Sequence, residues 1–222
     1  MKVQIISDSH GKHGEIKIEE DIDMIIHCGD STNWFDLLPN EQEFRRFLEW
    51  FLSLEVKHKV LIAGNHDAWA TKLYNKEFIK SKGIIFLEHE YVEIEGLKIF
   101  GSPYTPIFHN WHFMKDRSKI NKYWEYLEPN IDILITHGPP KGILDLSRNK
   151  ENTLEYCGDS SLLKHVLRVK PKYHCFGHIH NFKDCKNQGI RVYENITFIN
   201  ASVVEDGKFE EPPSSHGIII NI

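Results

Sequence analysis

At 222 residues and 26.0 kDa the chain is one large domain or two small ones, long enough to bury a substantial core. Its net charge of −5, from 27 basic and 32 acidic residues, leaves no electrostatic footprint for tight duplex binding, so a long nucleic acid is not an expected partner. No apolar run is long enough for a transmembrane helix, and residues 1–6 turn polar too soon for a signal peptide, so no membrane is expected either.

The four cysteines (Cys28, Cys157, Cys175 and Cys185) show no C-x-x-C spacing, and Cys28 and Cys175 fall in or beside apolar runs. Reduced, buried thiols in a cytoplasmic protein are the expectation. The 14 histidines are many, and they matter through where they fall.

In chain order, residues 2–7 and 21–27 read as short buried strands, rich in β-branched residues. Residues 41–54 place Phe44, Phe47, Leu48, Phe51 and Leu54 on one helical face after a Pro39-Asn40 start. Residues 59–63 form a third strand, and 69–82 an amphipathic helix closed by Gly83. After a short strand at 84–87, the segments 91–94 and 97–100, split by Glu95-Gly96, predict a hairpin. The aromatic stretch 101–117 is too long for a plain connection and is therefore a functional candidate. Helix is expected at 120–127, a strand at 131–135, and a long surface loop at 141–158. A helix at 161–168, capped by Asp159 or Ser160, precedes strands at 173–176, 190–193, 196–199 and 217–220. There is no repeat or linker, so residues 1–222 are read as a single domain of mixed sheets with helices outside them.

Five of the strands end in polar clusters: Asp8/His10, Asp30, Asn65/His66, His137 and His178/His180. Most adjoin a glycine that allows a sharp turn. If the strands lie side by side, these groups converge. Imidazoles, carboxylates and an amide without thiolate suit manganese, iron or zinc. They are too many for one tetrahedral ion and about enough for two sharing a bridge. Any single histidine here has a bland reading as a structural residue, Asp30 could be a turn residue, and Asn65 could make an Asx-turn. Five such coincidences are harder to accept than one metal site.

The order D-x-H, G-D, G-N-H-D, H-G-P-P, G-H-I-H across residues 5–180 resembles the calcineurin-like metallophosphoesterase superfamily. Thr136-His137-Gly138-Pro139-Pro140 with Gly142-Ile143-Leu144-Asp145, and Gly101-Ser102-Pro103-Tyr104 running to His109-Asn110-Trp111, resemble its metallophosphoesterase-domain-containing, brain phosphodiesterase-like branch. The resemblance implies an α/β fold, a four-layer α/β/β/α sandwich of two central mixed sheets flanked by helices. It also implies that Asp8, His10 and His180 hold one ion, that Asn65, His137 and His178 hold the other, and that Asp30 bridges them. His66 would face the substrate phosphate, with Asp67 orienting it. Two divalent ions are implied, manganese first and iron, zinc, nickel or magnesium as alternatives.

The expected activity is hydrolysis of phosphodiesters or phosphomonoesters of small substrates, nucleotides among them. A hydroxide bridging two ions would attack phosphorus in line, and His66 would assist the leaving group. Tyr104 and Trp111 in the aromatic stretch are expected to contact the substrate alongside Asn65 and His66, by stacking on a nucleobase or aryl group. The opposing reading makes those rings a small core under a loop. Lys141, Arg148, His109 and His112 could meet phosphate but are more simply solvated, and His174 could support a ligand. The rival functions are a nuclease, a protein Ser/Thr phosphatase and a non-catalytic metal-binding scaffold. The sequence leaves the oligomeric state open.

Overall fold

The computed structural model describes residues 1–222. In chain order the elements are β1 (Lys2–Ile6), β2 (Met24–His27), α1 (Leu37–Ser53), β3 (His58–Leu61), α2 (Leu73–Ser81), β4 (Ile85–Phe86) and β5 (Glu90–Ile94). They continue with β6 (Leu97–Ser102), β7 (Thr105–Pro106), β8 (Met114–Lys115), α3 (Asn121–Trp124), β9 (Ile133–Thr136), β10 (Leu146–Arg148) and β11 (Leu154–Tyr156). Then come α4 (Ser160–Val169), β12 (Tyr173–Phe176), β13 (Gly189–Tyr193), β14 (Ile196–Asn200) and β15 (Ile218–Asn221).

Two large sheets organise these elements. The first has the order β15-β1-β2-β3-β4, parallel except for β15. The second has the order β13-β14-β12-β9-β6-β5, with a parallel centre and antiparallel edges. Alternation of side chains along each strand builds the layers. Ile5, Ile26 and Val60 face Ile99, Ile133, Cys175 and Ile199 in the core between the sheets. Their neighbours Ile6, Ile25 and Leu61 point the other way, onto Phe44, Phe47 and Phe51 of α1. On the far side, Phe100, Leu134 and Phe176 meet Trp124 of α3 and Leu162 and Val166 of α4. The three cores separate four layers, helices–sheet–sheet–helices, the architecture expected from the resemblance.

Four local expectations needed correction. Helix α1 starts at Leu37 rather than 41, with Pro39 inside its first turn, where a missing N–H costs nothing. The single helix expected at 69–82 is split into a 3-10 turn, Ala68–Thr71, and α2. Burial of Trp69 against α1 sets that break, and its backbone is held by the Asn40 and Asn75 side chains. Only Asn121–Trp124 of the helix expected at 120–127 is α-helical. Residues 141–158 are not simply loop, because β10 and β11 pair as an antiparallel hairpin. Each strand is three residues long, too short to show a period, and the Asn149 side chain closes the turn by accepting from the Glu151 and Thr153 amides.

Candidate metal centre

Parallel strands of both sheets end on the same edge, so the connections after β1, β2, β3, β9 and β12 meet there. The Ser7 amide donates to the Ala201 carbonyl, and the Asp8 and His10 amides donate to the Gly29 and Asp30 carbonyls. The Gly177 amide donates to the His137 carbonyl. Four of the converging residues have strained backbone: Asp8, His10, Asp30 and His178 have φ of 56°, 40°, 55° and 67°. Non-glycine residues avoid this region, and surrounding structure must hold them in it. Two glycines are required for close approach. A Cβ on Gly64 would collide with the Asp30 carboxylate, and one on Gly177 with the Asp8 carboxylate and Ser7 hydroxyl.

The expected ligands come together. Asp8, His10 and His180 offer donor atoms within 4.8 Å of one another, as do Asp30, His137 and His178, and His10, Asp30 and His66. Asp30 therefore belongs to two of the three groups. Asn65 joins through its Oδ1, 3.0 Å from His137 Nε2. Backbone carbonyls set the imidazole tautomers: His10 Nδ1 lies 3.0 Å from Thr32 O, His137 Nδ1 2.9 Å from Cys28 O, and His66 Nδ1 3.1 Å from Asn33 O. Only an N–H can bond a carbonyl, so each ring presents Nε2 to the centre.

Asp8 and Asp30 are buried without a Lys or Arg partner, and the only cationic groups facing them are imidazoles. Burial is the largest single influence and opposes their charge, but the surrounding imidazoles together, led by His180 at Asp8 and His137 at Asp30, hold both carboxyls well below the usual range. Conversely, burial disfavours a charged His137, yet the Asp30 carboxylate 3.2 Å away lifts it to about 9. Asp8 lifts His180 against the same penalty. Burial pushes His10 and His178 down to about 3, which keeps their nitrogen lone pairs free. His10 Nε2 is buried without a hydrogen-bond partner, 4.0 Å from an Asp30 oxygen. A lone pair facing a carboxylate is repulsive unless a cation sits between them. This donor set fits divalent ions.

Other expectations were revised. Asp67 makes no hydrogen bond to the His66 ring, whose Nδ1 is bonded to the Asn33 carbonyl. Its buried carboxylate accepts from the amides of Gly64, Asp30, Ser31 and Thr32 and from the Ser31 and Thr32 hydroxyls. It therefore shapes the Asp30 loop, and His66 is oriented by the Asn33 carbonyl instead. Tyr104 packs among His89 and Tyr123, with ring centroids 5.2 and 4.8 Å away, outside the cleft. Trp111 also stays out of the cleft and lies against His66. His174 Nε2–H donates to Thr136 Oγ1, whose single hydroxyl hydrogen goes to the Gly138 carbonyl, so the ring braces the turn after His137.

The cleft above the centre measures about 440 Å³. Phe108, Phe182 and Phe209 wall it, and His109, Arg117 and Arg148 stand among its lining. Arg117 was not anticipated. It is held by the Cys157 and Gly158 carbonyls and pairs with no carboxylate. Asn40, also unforeseen, is buried and donates to the His66 carbonyl, tying α1 to the Asn65-His66 turn. Neither residue adjoins a strand-end cluster in sequence, so local spacing carried no signal for them.

A sandwich whose parallel strand ends gather His and Asp side chains under one cleft defines a class: α/β proteins able to hold metal ions at the sheet edge. Residues 1–182 match the calcineurin-like phosphoesterase family, and the chain belongs to that family. It is 32% identical over 223 residues to human metallophosphoesterase domain-containing protein 1, covering 89% of this chain and 64% of that protein. The chain thus spans less than two thirds of that relative's length. A UPF0046 protein of Caenorhabditis elegans is 34% identical over 217 residues, covering 90% of this chain and 74% of its own. A solved structure 17% identical superposes with a TM-score of 0.60, covering 99% of this chain and 97% of its own, in agreement on the fold. No helix is long and apolar enough to cross a membrane.

Proposed function

We propose that the protein is a dimetal phosphoesterase acting on phosphodiester or phosphomonoester bonds of small substrates, nucleotides among them. The observation that carries this reading is the meeting of seven donors from both sheets around Asp30. Asp8, His10 and His180 would hold one ion, and Asn65, His137 and His178 the other, with Asp30 shared. Manganese is the first choice, with iron, zinc, nickel or magnesium the alternatives. When bound, the pair of ions would supply Lewis acidity and an activated water for in-line displacement at phosphorus.

The chain's own residues do the rest. Asn65 offers an amide that can donate to a phosphoryl oxygen. His66 lines the cleft with Nε2 4.0 Å from the Asp30 carboxylate, and Nδ1–H is anchored on Asn33, so Nε2 can pass a proton to the departing oxygen once protonated. Asp67 keeps the Asp30 loop in its strained conformation. Arg117 offers an uncompensated guanidinium to a substrate anion at the rim. The phenyl rings of Phe108, Phe182 and Phe209 exclude water and suit an aromatic or nucleobase portion.

The test is direct. The protein is stripped with chelator, reloaded with Mn²⁺, and assayed on bis-p-nitrophenyl phosphate and p-nitrophenyl phosphate. Hydrolysis that follows metal loading supports the reading, and diester preference narrows it to a phosphodiesterase. Bound metal without turnover of either ester points to a scaffold instead.

A further inference from the structure

Trp111 lies against the face of the His66 imidazole, with ring centroids 4.1 Å apart and planes inclined by 34°. His66 lines the cleft and Trp111 does not, so the indole sits behind the imidazole as seen by a substrate. Two further contacts fix it there. The amide of His112, next in the chain, donates to the Asn65 carbonyl at 3.2 Å, tying the aromatic segment to the turn that carries His66. Phe35 meets Trp111 edge-on at 5.2 Å and stacks on His112 at 5.5 Å. The His66 ring is thus held at Nδ1 by Asn33 and on its outer face by Trp111.

We propose that Trp111 is a positioning residue for His66, not a platform for the substrate. An imidazole with only one hydrogen bond can still swing about its Cβ–Cγ axis. An aromatic plane against its face removes that freedom and aims Nε2 at the leaving oxygen, where a misplacement of about 1 Å costs roughly 10²-fold in rate. The ring–ring contact also explains why a large aromatic residue occupies a partly exposed loop without reaching the cleft. This assignment rests on the reading of His66 as the leaving-group acid.

The experiment uses the Mn²⁺-loaded full chain and two esters of similar bulk. One is thymidine 5′-(p-nitrophenyl phosphate), whose leaving group departs without a proton. The other is the dinucleotide TpT, whose alkoxide leaving group needs one. Trp111→Ala is expected to lower kcat on TpT by about 10- to 100-fold with KM nearly unchanged, to spare the p-nitrophenyl ester, and to be rescued by Trp111→Phe. In a His66→Gln background, Trp111→Ala is expected to add nothing, because both changes remove the same function. Effects that multiply in the double variant, or a raised KM with unchanged kcat, would overturn the assignment. So would an equal loss on both esters. If His66→Gln alone leaves TpT hydrolysis intact, the proposed role of His66 fails, whatever Trp111 does.

Discussion

The floor of the cleft is made of strand ends clamped between two packed sheets, whereas its walls are made of connections that hang beyond them. Floor residues Asp8, Asp30, Asn65 and His137 are buried, and several are held in strained backbone by hydrogen bonds to neighbouring strand ends. Wall residues Phe108, Arg117 and Arg148 are exposed and lie on the 101–117 segment and the β10–β11 hairpin. The difference teaches where each kind of specificity resides. Metal geometry tolerates little motion, so it is built where the inter-sheet core fixes distances. Substrate choice can be tuned on segments whose change does not disturb that core.

The sharpest way to break this comparison is through the floor. Asp30→Asn removes charge from the shared position and is expected to take activity to background, with fewer than two metals per chain by elemental analysis. Retention of both metals would remove Asp30 from the bridging role. Next, His66→Gln is expected to keep both metals while kcat falls by ~10²–10⁴-fold. Loss of a metal in this variant would make His66 a ligand, which its place in a group with His10 and Asp30 allows in principle.

Smaller effects sharpen the boundary between floor and wall. Gly177→Ala forces a methyl into the Asp8 carboxylate, and overpacking of this kind costs about 1–3 kcal/mol. It should be visible as a lower melting temperature of the metal-free protein together with weaker Mn²⁺ binding. Arg117→Gln, in the wall, is expected to raise KM about 10-fold, the loss of one charge-assisted hydrogen bond, without changing melting or metal content. A fall in melting temperature would make Arg117 a staple between the 101–117 segment and residues 157–158 instead.

Much of this arrangement was legible in the sequence, and the reason is local. A buried β-strand is short and apolar, and a glycine-flanked Asp or His after it is a contiguous signal. So Asp8/His10, Asp30, Asn65/His66, His137 and His178/His180 could be picked out with no knowledge of pairing. The hairpin across Glu95-Gly96 was equally readable, since both residues take the positive φ that such a turn demands. The relation of Asp67 to His66 was not readable. Adjacency suggested contact, but the Asp67 carboxylate is drawn to six donors, five of them on the residues 30–32 loop after β2.

The aromatic stretch was likewise divided by packing rather than by pattern. Tyr104 went to the sheet's outer cluster, Trp111 to the back of His66, and Phe108 to the cleft beside His178, at 5.3 Å between centroids. Within the sequence these rings are equivalent. By itself, then, the sequence determined the strands of the two large sheets, the layers they could form and the donor atoms at their ends, because those follow from hydrophobic runs and short-range chemistry. The tertiary structure alone decided which sheet faces which, which carbonyl fixes each imidazole, and which arginine and aromatic side chains reach the cleft. Those outcomes depend on contacts between residues far apart in the chain, whose partners no local spacing encodes.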